Sequence, residues 1–131
     1  MHGWRVWPVS SERTCGSEGR SAPSHGALPA EREGTGALLG SGVIIPVRHA
    51  ETVFDLTRDE IDATFALLAD VRAWMDERFH PDGYNVGWNC GAVGGQIAMH
   101  AHMHVIPRFR QEPYAGRGIR YWLKQPANRW W

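Results

Sequence analysis

The chain is short of several things, and each shortage removes a class of protein. It has only two cysteines, Cys15 and Cys90. Two thiols cannot build a disulfide framework, and neither sits in a metal-type pair. Reduced thiols of this kind fit a cytoplasmic protein. There is no excess charge of either sign, since 14 basic residues balance 14 acidic ones. That removes the broad electrostatic footprint of a nucleic-acid binder, although a small anionic ligand needs only a local site. No apolar run approaches the ~18 residues that span a bilayer. The start, Met1-His2-Gly3-Trp4-Arg5, lacks the apolar stretch of a secretory leader. No internal repeat is visible. The expectation is a cytoplasmic protein with neither membrane nor nucleic acid as its partner.

What remains is a single domain of 131 residues, 43% of them hydrophobic, enough for a core. The chain divides near residue 40. Residues 1–40 are rich in Gly, Ser, Arg and Glu, with no sustained alternation and no helical stripe. They read as an atypical, irregular N-terminal segment, 10–36 in particular. Only Trp4, Val6 and Val9 offer anchors for a short strand, and Pro8 weakens it.

Residues 41–131 carry the patterns of a folded domain. Val43-Ile44-Ile45-Pro46-Val47 is a dense β-branched strand. Thr57-Arg58-Asp59-Glu60 has the form of a capping box. Behind it Ile61, Phe65, Leu68, Val71, Met75 and Phe79 recur every three or four residues. This predicts an amphipathic helix of about six turns, stopped by Pro81-Asp82-Gly83. Tyr84 to Asn89 alternates as a strand, and Gly91-Ala92-Val93-Gly94-Gly95-Gln96 is a glycine-rich turn. His100 to Pro107 is a further strand, antiparallel to the one before it. The tail, with Ile119, Tyr121, Trp122, Leu123, Trp130 and Trp131, adds a strand or packs on the sheet. Trp88 is a core residue before it is a base-stacking one, and His49 a structural loop residue before a substrate contact. Arg108 and Arg110 meet phosphates or lie on a solvated face. Asp55 and Asp59 suit a helix start.

His100, His102 and His104 alternate with Ala101, Met103 and Val105. In a strand, alternate residues share a face. Three imidazoles therefore project from one side and the apolar residues from the other. Exposed structural histidines, a zinc site and nucleophilic catalysis all compete for this pattern. A zinc site wants further ligands, and the nearest candidates, His49 and Asp82, have no evident registration. The glycine-rich turn favours catalysis, because Gly91, Gly94 and Gly95 let backbone N–H groups approach a phosphate. A phosphate cradle beside an imidazole nucleophile points to phosphoryl or nucleotidyl transfer.

These residues resemble the histidine triad (HIT) family. Its alternating His-φ-His-φ-His-φ-φ motif, with φ hydrophobic, is matched by His100 to Ile106. Asp82-Gly83-Tyr84-Asn85-Val86-Gly87-Trp88-Asn89, Gly94-Gly95-Gln96 and Ile45-Pro46-Val47-Arg48-His49 extend the match. Ile119-Arg120-Tyr121-Trp122 is similar to the tail of bacterial members akin to dinucleoside polyphosphate hydrolases. The resemblance implies an α+β fold, with an antiparallel sheet of about five strands and one long helix, paired as a homodimer. It implies catalysis by His102, His104 and His100. His102 would attack the α-phosphorus of a nucleotide, with its far nitrogen held by the His100 carbonyl. His104 would contact the phosphate and assist the leaving group. Asn89, Gly95, Gln96 and Ile97 would bind phosphate oxygens. The substrate would be a dinucleoside polyphosphate or nucleoside phosphoramidate, and no metal or other cofactor would be required. A nucleotide-binding regulatory protein and a zinc-dependent hydrolase are the alternatives. Two features depart from the family pattern. Ser41 stands where an auxiliary histidine is usual, and Ile97 follows the glutamine where a serine or threonine is common.

Overall fold

The structure, a computed structural model, describes residues 4–8 and 40–129. Its centre is an antiparallel sheet of four strands in the order β1-β2-β4-β3. They are β1 (Trp4–Pro8), β2 (Gly42–Pro46), β3 (Gly83–Trp88) and β4 (Met103–Arg108). One long helix, α1 (Arg58–Phe79), crosses one face, and a short helix, α2 (Ile119–Leu123), follows the sheet. This is the expected α+β architecture, with four strands among the described residues where about five were expected.

β1 is the short strand for which Trp4 and Val6 offered anchors, formed despite Pro8. It pairs with β2 from Trp4↔Pro46 to Pro8↔Gly42. Proline is tolerated there because β1 has no other strand partner among the described residues and Pro8 is its last residue. The rest of the segment, and Trp130 and Trp131, lie outside the described residues.

The helix begins where the sequence placed it. The Thr57 hydroxyl accepts the Glu60 N–H at 3.2 Å, and the Glu60 carboxylate accepts the Thr57 N–H at 2.8 Å. Its end is closed by His80 in the left-handed conformation, φ 49°, with its N–H donating to the Asp76 carbonyl. Pro81 follows and cannot extend the ladder. The buried face differs from the expected stripe in the first half of the helix. Glu60 and Thr64 are buried there, whereas Phe65 is half exposed. Thr64 is satisfied by donating its hydroxyl to the Glu60 carbonyl at 2.7 Å. In the second half Val71 and Met75 meet Ile44, Met103 and Val105 in the core, with Leu67, Leu68, Trp74, Phe79, Tyr84 and Trp88 around them. Trp88 therefore belongs to the core, tilted against Phe65.

β4 shows the alternation that the sequence required. Ala101, Met103, Val105 and Pro107 are buried, and His102, His104 and Ile106 between them are only partly so. Its ladder to β3 opens at Trp88↔Met103, three residues later than the strand read from the sequence. His100, Ala101 and His102 precede the strand. The tail forms α2 rather than a strand. A Cβ placed on Gly87 would lie 3.8 Å from Ile119 Cδ1, so the tail lies against β3 there. Arg108 fixes this arrangement. Its guanidinium pairs with Glu112 and donates to Asn85 Oδ1 and to the carbonyls of Tyr114 and Arg117. Arg108 is thus engaged with β3 and with the segment 112–117 that leads into α2. Arg110 is exposed, 3.5 Å from Asp82.

Candidate functional site

The imidazoles sit where the chain enters β4. His102 Nδ1–H donates to the backbone carbonyl of His100 at 2.8 Å. A carbonyl can only accept, so this bond puts the proton on Nδ1 and leaves the Nε2 lone pair of neutral His102 open. The His104 ring meets His102 edge to face, with centroids 4.8 Å apart. His104 lies within the sheet, between Val43 on β2 and Gly87 on β3. Burial, then the neighbouring His102, hold its pKa below the ordinary 6.5.

His100 is turned away from the other two. Its Nε2–H donates to the Pro46 carbonyl at 2.9 Å. Its Nδ1 lies 3.1 Å from His49 Nδ1. His102, just ahead of β4, and His104 within it thus form a pair, and His100 supplies its carbonyl.

The glycine-rich turn is more self-contained than expected. The N–H groups of Gly94 and Gln96 donate to the Gly91 carbonyl, and that of Gly95 to the Ala92 carbonyl, each at 3.0 Å. Gly95 holds φ at 90°, a conformation that side chains disfavour. The Asn89 Nδ2 donates to its carbonyl at 3.4 Å. The Gln96 side chain is buried and fully used. Its Oε1 accepts the Gly91 N–H at 2.7 Å, and its Nε2 donates to the carbonyls of Glu51 at 2.6 Å and Ala98 at 3.0 Å. Gly95 and Gln96 therefore shape the turn, and in this structure their N–H groups bond within it. Ile97 differs. Its side chain is fully exposed, and its N–H has no acceptor among the described residues. Asn89 is exposed and keeps one Nδ2 hydrogen free.

Two braces were missed by sequence reasoning. Gln96 ties the turn to Glu51, and the Ala101 N–H donates to the Ala50 carbonyl at 2.7 Å. Residues 49–51 are thereby fixed against the triad. From the other side Arg48 clamps Glu60 with Nε and Nη2, both at 2.7 Å. Arg48 also reaches the carbonyls of His49 and Asp55. The Arg48 bonds, then the Thr57 N–H, pull the buried Glu60 carboxyl down to about 2. Asp55 does not join α1; it caps the short turn Val53–Asp55 by accepting from Thr52. Ser41 is buried, and its hydroxyl has no partner among the described residues. Cys90 is a free thiol beside the turn. No three metal-ligating side chains converge among the described residues. No helix there is long and apolar enough to cross a membrane.

The fold and site define a class: α+β proteins whose antiparallel sheet carries alternating imidazoles at the mouth of an inner strand. The HIT domain model matches residues 41–111, over half the chain, and the chain belongs to that family. It is 30% identical over 90 residues to an uncharacterized 16.1 kDa HIT-like protein of Mycoplasma pneumoniae, covering 69% of this chain and 60% of that one. It is 32% identical over 71 residues to the asymmetrical bis(5'-nucleosyl)-tetraphosphatase of Schizosaccharomyces pombe, covering 54% of this chain and 39% of that one. A hypothetical histidine triad nucleotide-binding protein of Sulfolobus tokodaii superposes with a TM-score of 0.56 at 25% identity, over 59% of this chain and 52% of that one. The chain thus spans between about two-fifths and three-fifths of the length of these relatives.

Proposed function

We propose that the protein is a nucleotide hydrolase or nucleotidyl transferase in which His102 Nε2 attacks the α-phosphorus of a dinucleoside polyphosphate or nucleoside phosphoramidate. The observation that carries this is the bond from His102 Nδ1–H to the His100 carbonyl, which aims an unprotonated nitrogen away from the backbone. In the first step a P–N bond forms at Nε2 and the bond from phosphorus to the leaving group breaks. In the second, water or another acceptor attacks phosphorus, the P–N bond breaks, and the imidazole is regenerated. The Ile97 N–H and Asn89 Nδ2 meet the phosphate oxygens, and His104, packed edge to face on His102, contacts the phosphate as a neutral imidazole near pH 7. The name of the Schizosaccharomyces relative supports the substrate class.

On this reading the chemistry needs no cofactor, the protein pairs as a homodimer, and it acts in the cytoplasm. Incubation with a dinucleoside polyphosphate tests it, with and without a chelator. Turnover that persists in chelator supports the reading, and turnover restored only by zinc favours the zinc-dependent alternative. The unpartnered Ser41 hydroxyl favours a second reading, a nucleotide-binding regulatory protein with weakened catalysis. Tight binding without turnover would support that one.

A further inference from the structure

We propose that His49 is a positioning residue: it locks the His100 ring, and through the His100 carbonyl it sets the tautomer of His102. This rests on the reading of His102 as the nucleophile. The His49 and His100 ring planes lie within 11° of each other, with centroids 5.2 Å apart and Nδ1 atoms 3.1 Å apart. The nitrogens are much closer than the centroids, so the rings meet edge to edge, as an in-plane N–H···N bond requires. One proton must lie between the two nitrogens.

The Pro46 carbonyl decides which ring supplies that proton. It only accepts, so His100 Nε2 must carry hydrogen. Neutral His100 then has a lone pair on Nδ1, and His49 Nδ1–H is the donor. Both His100 nitrogens are occupied, and the ring has one tautomer and one orientation.

This matters because His100 lies ahead of the β4 ladder, which opens at Met103. No sheet bond holds its carbonyl. The neighbouring backbone is tethered by the Ala101 N–H to Ala50. The ring is the other tether, and its partner His49 is itself firmly placed. The His49 carbonyl accepts from Arg48 at 3.2 Å, and Glu51 two residues later is held by Gln96. The path from His49 to the nucleophile is therefore a short chain of directed hydrogen bonds: His49 to His100, His100 to Pro46, and His102 to the His100 carbonyl.

Long-range 1H–15N spectra of the imidazoles, with kinetics on a dinucleoside polyphosphate, test the proposal in full-length protein. In the wild type His102 shows a single Nδ1–H tautomer. His49→Leu removes the donor, so His102 becomes a tautomer mixture. Its kcat falls about tenfold with KM little changed, as expected for one lost hydrogen bond. His49→Asn, whose Nδ2–H stands near the position of the imidazole Nδ1–H, recovers most of both. A single unshifted His102 tautomer in a folded His49→Leu protein would overturn the proposal, as would a His49→Asn variant no better than leucine. Lack of wild-type turnover would instead refute the proposed reaction, and the spectra alone would then decide the role of His49.

Discussion

Gln96 offers the most informative perturbation, because one buried amide joins three chain segments. Its Oε1 accepts from Gly91, and its Nε2 donates to Glu51 and Ala98. Gln96→Ala removes all three bonds and leaves a void among backbone groups that had been paired. A buried group left unsatisfied costs roughly 1–3 kcal/mol. Glu51 and Ala98 belong to exposed residues and recover water, so the net loss should be about 2–4 kcal/mol rather than the full sum. Gln96→Glu is nearly isosteric and separates geometry from volume. It keeps the acceptor for Gly91 but points an oxygen at two carbonyls, at 2.6 and 3.0 Å in the parent. The ionised form is disfavoured in that position, so the new carboxyl has a folded pKa raised above its unfolded value near ~4.3. With a raised folded pKa, the variant is closest to the parent below pH ~4 and loses stability as pH rises through its folded pKa. Urea unfolding of parent and both variants at pH 4 and pH 7.5 measures this. If Gln96→Glu matches the parent at pH 7.5, or its deficit is the same at both pH values, the brace does not work as described.

Three further outcomes follow from the geometry. Glu60→Gln should cost about 1–2 kcal/mol at pH 7, a figure lowered for solvent screening because Arg48 is half exposed. Glu60 is held down to about 2 from 4.5, so its contribution is present above pH 4.5 and disappears as pH falls toward 2; denaturant melts across that window should show parent and variant converging. His104 is held below 6.5 by burial and by His102, so the folded protein loses stability as pH falls below 6.5, and His104→Gln should flatten that acid limb in thermal melts. Arg108→Met breaks a largely buried pair with Glu112 and should cost about 2–4 kcal/mol, with new limited-proteolysis cuts between residues 112 and 123.

The parts of the fold legible in the sequence are those set by local chemistry. The capping box at Thr57, the stop at Pro81 and the apolar alternation of Ala101, Met103 and Val105 all depend on neighbours within a few residues. Phe65 misled because periodicity gives the spacing of a stripe and not its exact angle. Glu60 and Thr64 occupy that buried line through hydrogen bonds that periodicity does not weigh. The site divides in the same way. The bond from His102 to His100 spans two residues, and the family resemblance pointed to it. The pairing of His49 with His100 spans 51 residues, and that of Gln96 with Glu51 spans 45. Such contacts depend on topology, and His49 alone in a loop after a strand gave no signal of its partner. Glycine richness likewise suggested open N–H groups, but a tight turn satisfies its own donors first.

The central claim is that His102 carries the nucleotide. Rapid acid-free quenching of the protein during turnover of a dinucleoside polyphosphate, followed by peptide mass spectrometry, tests it most directly. The account predicts one nucleoside monophosphate added to the peptide bearing His102, and no adduct in His102→Asn, whose turnover should fall at least about a thousandfold. An adduct on another residue, or turnover that survives His102→Asn, would contradict it.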